Sequence, residues 1–238
     1  MHTSAALHAA ACRNRPLAAL PEADYERLLP HLEPVELAMK ETLYEANRPI
    51  RHVHFVLRGV VSLVTTLEGG AIVETGLVGN EGMVGLPVFL GATTSPMTAF
   101  CQVPGPALRM DAAALREAAR DSAALVGVLH RYTQAFLTQL SQSVACNRMH
   151  GLRERCARWL LMTHDRAGAD EFALTHEFLS RMLGARRAGV TEVLRDLRAA
   201  GLVRYRQRRL AVVDRPGLEA ASCGCYRTIR AEYDRLVG

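Results

Sequence analysis

No uninterrupted hydrophobic run long enough to cross a bilayer occurs in this chain of 238 residues. The nearest approach is the charge-free segment from Gly82 to Leu108, which Pro87, Pro96, Pro104, Pro106 and several glycines break. Such interruptions exclude a spanning helix. No export signal is expected either: the start, MHTSAALHAAAC, has no Lys or Arg ahead of its short, weakly apolar stretch. A cytoplasmic chain without membrane contact is the expectation. There is no cysteine framework either. Cys12, Cys101, Cys146, Cys156, Cys223 and Cys225 are scattered, unlike those of a small secreted domain, and in the cytosol they stay reduced. No Ser/His/Asp or paired-carboxylate arrangement stands out, and the charge-free segment offers no acid–base cluster, which speaks against an enzyme.

Lysine is nearly absent, one against 28 arginines. That bias runs through the chain, but the charge balance does not. Residues 1–146 hold 11 basic and 13 acidic side chains, whereas residues 147–238 hold 18 and 11. A basic unit joined to a near-neutral one points to a polyanionic partner on one side only. With 49% hydrophobic and 22% charged residues, the chain has material for a sizeable core and a globular composition.

Arg13 to Leu37 reads as a short helical region, with Glu22 and Asp24 near a helix start and Pro30 as a break. From Glu41 to about Met110 the pattern changes to strands. HVHFVL alternates at Val53, Phe55 and Leu57, GVVSLVTT and AIVETGLV are rich in β-branched residues, and Gly69-Gly70 between them signals a hairpin. This predicts an all-β barrel or roll. After Asp111 the pattern turns helical, with Leu125, Leu129, Tyr132, Phe136, Leu140 and Val144 at spacings of three or four. A long helix over Ala123 to Cys146 needs a partner for this stripe, either its own roll or a second copy. The stripe is narrow, which favours a coiled-coil-like seam, so these six residues are the expected homodimer interface. A further helix follows from Leu152 to His164, and the charge shift marks a boundary near Asn147.

The most informative segment is THEFLSRMLGARRAGVTEVLRDLRAAGLVRYRQRRLAVVD, from Thr175 to Asp214. Thr175 suits a helix cap. Phe178, Leu179, Met182 and Leu183 give an apolar face, and Gly184 supplies a turn where positive φ is needed. A second helix begins near Arg186, with Val190, Val193, Leu194 and Leu197 inward. This is a helix–turn–helix. Its exposed side carries Arg186, Arg187, Gly189, Thr191, Glu192 and Arg195, suited to reading base edges from the first turns. Arginine can donate twice to guanine, a glutamate can accept from cytosine, and small residues allow close approach. Two short strands joined at Gln207-Arg208 then form a wing carrying Arg204, Arg206, Arg208 and Arg209, which suits phosphates.

From about Leu17 to Val213 the chain resembles the Crp/Fnr family of bacterial transcription regulators. The resemblance rests on the order of roll, long helix and winged helix-turn-helix, most specifically on MLGARRAGVTEVLRDLRAAGLV and on VHFVLRGVVSLV. It implies an α+β fold: a cyclic-nucleotide-binding-like β-roll over residues 13–122, a dimerisation helix over 123–147, and a winged helix-turn-helix over 148–238. It implies a homodimer on double-stranded DNA, a small-molecule effector of unknown identity, and RNA polymerase as a partner if the protein activates. Arg187 aligns with the arginine that reads guanine in cyclic AMP-responsive members. Ala188 falls where those members carry glutamate and Glu192 where they carry arginine, which implies a different operator. Glu81, Gly82, Gly85 and Ser95 mark the effector pocket. There the cyclic-nucleotide binders show Gly-Glu and then Arg-Ser/Thr. This chain has Glu81-Gly82 in reversed order and Ser95-Pro96 in place of Arg-Ser, with no basic residue from Gly82 to Leu108. A buried phosphate without a cation argues against cyclic AMP. The iron–sulfur branch of the family needs an N-terminal cysteine cluster, and only Cys12 lies in that region.

Cys223-x-Cys225 offers at most half of a metal site; a redox pair that switches DNA binding, or ordinary thiols in a terminal helix, are the other readings. His52 and His54 share a strand face without an identifiable third ligand. His150 reads as a surface or capping residue. No metal site is expected.

Overall fold

The computed structural model describes residues 11–238; the N-terminal stretch read above for an export signal lies largely outside the described residues. Two short helices, α1 (Arg15–Ala18) and α2 (Glu22–Leu28), lead into a roll of eight strands. These are β1 (Glu33–Leu37), β2 (Thr42–Tyr44), β3 (His52–Val56), β4 (Val60–Thr66), β5 (Ile72–Val78), β6 (Met83–Val84), β7 (Thr98–Val103) and β8 (Gly105–Asp111), with helix α3 (Leu86–Phe89) after β6. They form two antiparallel four-stranded sheets, ordered β1-β8-β3-β6 and β2-β7-β4-β5. The expected helical reading of Glu33 to Leu37 is corrected: this segment is an edge strand paired to β8, with Glu33 opposite Arg109. An edge position tolerates Pro34, which has no N–H to give.

The core lies between the sheets and under the helices. Phe55, Val61, Leu108 and Met110 are all but inaccessible. Strand β4 is buried from Val60 to Val64 without alternation. That suits a strand covered on both faces, by the opposite sheet and by helices. Gly69 and Gly70, at the β4–β5 tip, both take positive φ, as a tight hairpin requires.

Helix α4 (Ala112–Asp121) leads to α5 (Ala123–Met149), whose Ser122 cap accepts from Leu125 N–H at 3.0 Å. Its 27 residues span about 40 Å. The chain bends at His150–Gly151 into α6 (Leu152–Ala167). Beyond it come β9 (Glu171–Ala173), α7 (His176–Met182), α8 (Arg187–Ala199), β10 (Val203–Arg206) and β11 (Arg209–Val212). The three strands form one small sheet ordered β10-β11-β9. Helix α9 (Arg215–Ala221) follows, and α10 (Cys225–Val237) runs back along α5. Tyr226, Ile229, Tyr233 and Val237 are its buried stripe. The Arg131 guanidinium of α5 donates to Leu236 O at 3.1 Å, and Arg15 pairs with Asp234 at 2.9 Å. Among the described residues no helix is long and apolar enough to cross a membrane.

Candidate nucleic-acid interface and sensory cavity

Thr175 caps α7, its hydroxyl accepting from Phe178 N–H at 3.1 Å. Gly184 in the following turn has φ +57, a conformation that a Cβ would strain. Leu179 and Met182 of α7 are buried with Val190, Leu194 and Leu197 of α8. Burying one face of each helix leaves the other face of α8 to solvent. Arg186, Arg187, Thr191, Glu192 and Arg195 are exposed there. Arg186, Arg187 and Glu192 have no ion-pair partner among the described residues, while Arg195 lies 3.6 Å from Asp196.

Two expected base-reading residues have structural work. The Thr191 hydroxyl donates to Arg187 O at 3.0 Å and meets His176 Nδ1 at 2.9 Å, tying α8 to α7. Burial, then the charge of Arg187, lowers the pKa of His176. Gly189 faces α6, where a Cβ would stand 3.1 Å from Leu152 Cδ2. Its small size serves helix packing, which corrects the reading that it lies open to a groove.

In the wing, Arg206 pairs with Arg209 across a two-residue turn. Both turn residues are left-handed, Gln207 at φ 50 and Arg208 at φ 60. Positive φ at both central residues is the type I′ pattern that matches strand twist, usually supplied by Asn-Gly. Arg206 and Arg208 are exposed and without ion-pair partners among the described residues. Arg209 closes on Glu171 of β9, and Arg204 lies 3.9 Å from the same carboxylate. Glu171 therefore steadies the base of the wing and leaves the tip cationic.

Between the roll and α5 lies a cavity of about 180 Å³. Its walls include Tyr44, Leu63, Met83, Gly85, Met97 and Phe136, and no charged side chain lines it. Of the four residues expected at the effector pocket, only Gly85 reaches this space. Glu81 is buried and turned toward α6, where its Oε1 accepts from Arg166 Nε at 2.7 Å and from Gly79 N–H at 3.1 Å. Gly82 lies against the Tyr132 ring, which a Cβ would meet at 2.5 Å. Tyr132 in turn donates to Met83 O at 3.1 Å. Ser95 is buried, its hydroxyl accepting from Met97 N–H at 3.1 Å. Glu81, Gly82 and Ser95 therefore lie outside the lining of this cavity.

Arg166 ties three elements together. It binds Glu81 of the roll, donates to Gln139 Oε1 of α5 at 3.2 Å, and sits 5.8 Å from the Tyr233 ring of α10. A second joint links roll and α6: Trp159 Nε1 donates to Glu74 Oε1 at 2.7 Å. Burial pushes the Glu74 carboxyl up to about 7, against hydrogen bonds from Ser62 and Trp159 and the charges of Arg158 and Arg166. Phe178 of α7 packs edge-on against both Phe100 of β7 and Trp159.

The expected dimer stripe needs correction. Leu125, Leu129, Tyr132 and Phe136 are buried within the protomer against the roll. Leu140 is half-buried, and Val144 alone is open, at 71% exposure. The exposed large apolar positions of α5 are Leu137 and Val144, seven residues apart, and Met149 at its end.

The expectation of no metal site rested on seeing only half a ligand set, and the fold supplies the other half. Cys146 Sγ lies 3.4 Å from Cys223 Sγ, and Cys225 Sγ lies 3.7 Å from His150 Nδ1. The sequence signal passed over was Cys146-x3-His150, one turn apart at the end of a helix. His52 and His54 gain no third ligand among the described residues. His54 is buried with its Nδ1 unpartnered, and burial, then the charges of His52 and Arg109, lower it to about 4.

Two family models match the chain: the cyclic nucleotide-binding domain over residues 34–122 and the Crp-like helix-turn-helix domain over residues 154–221. No curated protein matches it in sequence. Among solved structures it is similar to FixK2 from Bradyrhizobium japonicum, at 19% identity and TM-score 0.69, with 81% of this chain and 98% of that one covered. It is also similar to TTHB099, a CRP-family transcriptional regulator from Thermus thermophilus, at 24% identity and TM-score 0.65, covering 79% and 96%. The c-di-GMP responsive global regulator CLP from Xanthomonas campestris matches at 17% identity and TM-score 0.63, covering 81% and 99%.

The fold and the paired domains are those of DNA-binding transcription regulators and not of enzymes. The chain joins a cyclic nucleotide-binding domain to a Crp-like helix-turn-helix domain, the pairing found in Crp/Fnr regulators, which bind DNA and act as dimers.

Proposed function

We propose that the protein is a homodimeric regulator that reads double-stranded DNA with α8 and responds to a small apolar effector in the roll. The observation that carries this reading is the exposed and unpaired state of Arg186, Arg187 and Glu192 on a helix packed by its opposite face. An arginine with no internal partner gives up nothing inside the protein when it turns to a guanine edge. Arg186, Arg187, Glu192 and Arg195 are assigned to bases, Arg206 and Arg208 to phosphates. Arg209 and Thr191 hold the reading frame.

The uncharged cavity supports an effector without a phosphate. Its volume of about 180 Å³ is comparable to the roughly 150 Å³ apolar cavity that accepts a benzene-sized molecule. A ligand there touches Tyr132, Phe136 and Leu137 of α5 directly. Glu81–Arg166 carries a shift of the neighbouring loop to α6. Leu137 and Val144, with half-buried Leu140, form the two-fold seam. Contact with RNA polymerase follows if the regulator activates.

The test is fluorescence anisotropy of the reduced, ligand-free protein on its own upstream DNA and on a scrambled duplex, over a salt series. A preference for the upstream duplex, with both affinities falling as salt rises, is expected. Equal affinity for the two duplexes at every salt concentration, with and without small apolar ligands, refutes sequence reading at this site.

A further inference from the structure

The regulatory reading uses none of the buried thiols. Cys146, Cys223 and Cys225 are buried at 0%, 4% and 7% exposure, in a small cluster separate from the main core. His150 sits half-buried beside them as the cap residue of α5. The four side chains come from two places far apart in sequence. Cys146 and His150 are one turn apart at the end of α5, while Cys223 and Cys225 flank Gly224 at the start of α10.

Their ligand atoms all lie within 4.8 Å of one another. Bonds of about 2.3 Å to sulfur and about 2.0–2.1 Å to nitrogen place the donors of a tetrahedral ion roughly 3.3–3.8 Å apart. The two separations of 3.4 and 3.7 Å fall in this range. An iron–sulfur cluster holds its thiolates much farther apart, so the spacing suits a single ion. Three thiolates and an imidazole form a closed set that prefers a borderline-soft divalent cation and leaves no open position for catalysis. One such cation with three thiolates carries a net charge of −1.

We propose that Cys146, His150, Cys223 and Cys225 form a Cys3His site for one zinc ion, which clamps the α5–α6 bend to the start of α10. The ion joins the end of the helix that lines the sensory cavity to the segment leaving the DNA-reading unit. It fixes the angle between them. Binding displaces up to three thiol protons to solvent and changes no oxidation state.

The test uses the full chain, reduced and stripped of metal under anaerobic conditions, and titrated with Co²⁺ as a spectroscopic probe. One equivalent per chain, with a thiolate-to-cobalt charge-transfer band and the intense visible bands of tetrahedral Co²⁺, is expected, and Zn²⁺ must displace them. Cys225→Ser and His150→Ala lose or weaken the charge-transfer and tetrahedral signals, whereas Cys12→Ser, at an exposed thiol, leaves them intact. Three results overturn the proposal: no thiolate band in the wild-type protein; a band unchanged in Cys225→Ser; or purified protein holding iron with acid-labile sulfide. A Cys146–Cys223 disulfide that persists under reductant and excludes Co²⁺ overturns it equally, and assigns the pair to redox chemistry.

Discussion

The DNA-reading unit and the roll place their working groups on opposite sides of the protein surface. Around α8 and the wing, Arg186, Arg187, Arg206 and Arg208 have no ion-pair partner among the described residues, and the apolar residues behind them only hold them out. In the roll, the useful feature is a space, and the charged groups nearest it are spent on each other. Glu81 is paired with Arg166 and faces away from the cavity. The difference teaches that the two halves fail differently under mutation. Changes outside alter what is bound, and changes inside alter whether the halves stay connected.

The sharpest way to break this comparison is Arg166→Leu. Both members of the pair are 6% exposed at the side chain, and removing one leaves a buried carboxylate, at a cost of about 3–5 kcal/mol. Denaturant unfolding should show this loss, and a further Glu81→Leu change should restore much of it. If Arg166→Leu unfolds at the wild-type midpoint, the joint is not structural. Arg187→Ala should instead leave stability within about 0.5 kcal/mol of wild type. It should cost about 1–3 kcal/mol of binding at one base pair and relax the preference there. Selection from a randomised operator library reads this directly, and an unchanged base preference removes Arg187 from the reading set.

Glu74 sharpens the comparison through pH. Its folded-state carboxyl titrates near 7 against an ordinary 4.5, so the folded state holds a proton that the unfolded chain has already released. Stability should therefore fall as pH rises from about 4.5 to about 7. The residue is half-buried, so the loss is expected at about 1 kcal/mol. Glu74→Gln keeps an acceptor for Trp159 and should flatten this part of the profile. An unchanged slope in the variant places the titration elsewhere. The smallest effect belongs to Arg208→Gly. Relief of the left-handed residue is expected to raise stability by less than about 1 kcal/mol. Loss of the phosphate contact should weaken binding to all sequences alike and lower the salt slope by about 1. A loss confined to the cognate site contradicts the phosphate assignment.

What could be read in the sequence follows from how local each feature is. Thr175, Gly184 and the apolar positions of α7 and α8 act within about 25 residues, and their pattern defined the helix pair before any tertiary contact was known. Strand β1 was misread because its signal is its partner, with Glu33 opposite Arg109. The stripe on α5 showed that one face is buried but not what buries it. Leu125, Leu129, Tyr132 and Phe136 are buried inside the protomer, so the exposed large apolar residues are Leu137, Val144 and Met149. Glu81 could not be assigned from its motif, because Arg166, which takes its carboxylate, stands 85 positions away. The thiol cluster was hidden for the same reason: Cys146 and Cys223 are 77 positions apart.

The return of α10 along α5 has a mechanical consequence. A DNA-reading unit attached only at the α5–α6 bend hangs from one pivot and can swing in any direction. Here it is suspended at both ends, at the bend where it begins and at α10 where it leaves, with Leu236 and Asp234 fastened to Arg131 and Arg15. Two pivots define an axis. The unit is also docked on the roll through Arg166–Glu81, Trp159–Glu74 and Phe178–Phe100, so turning about that line requires this face to open first.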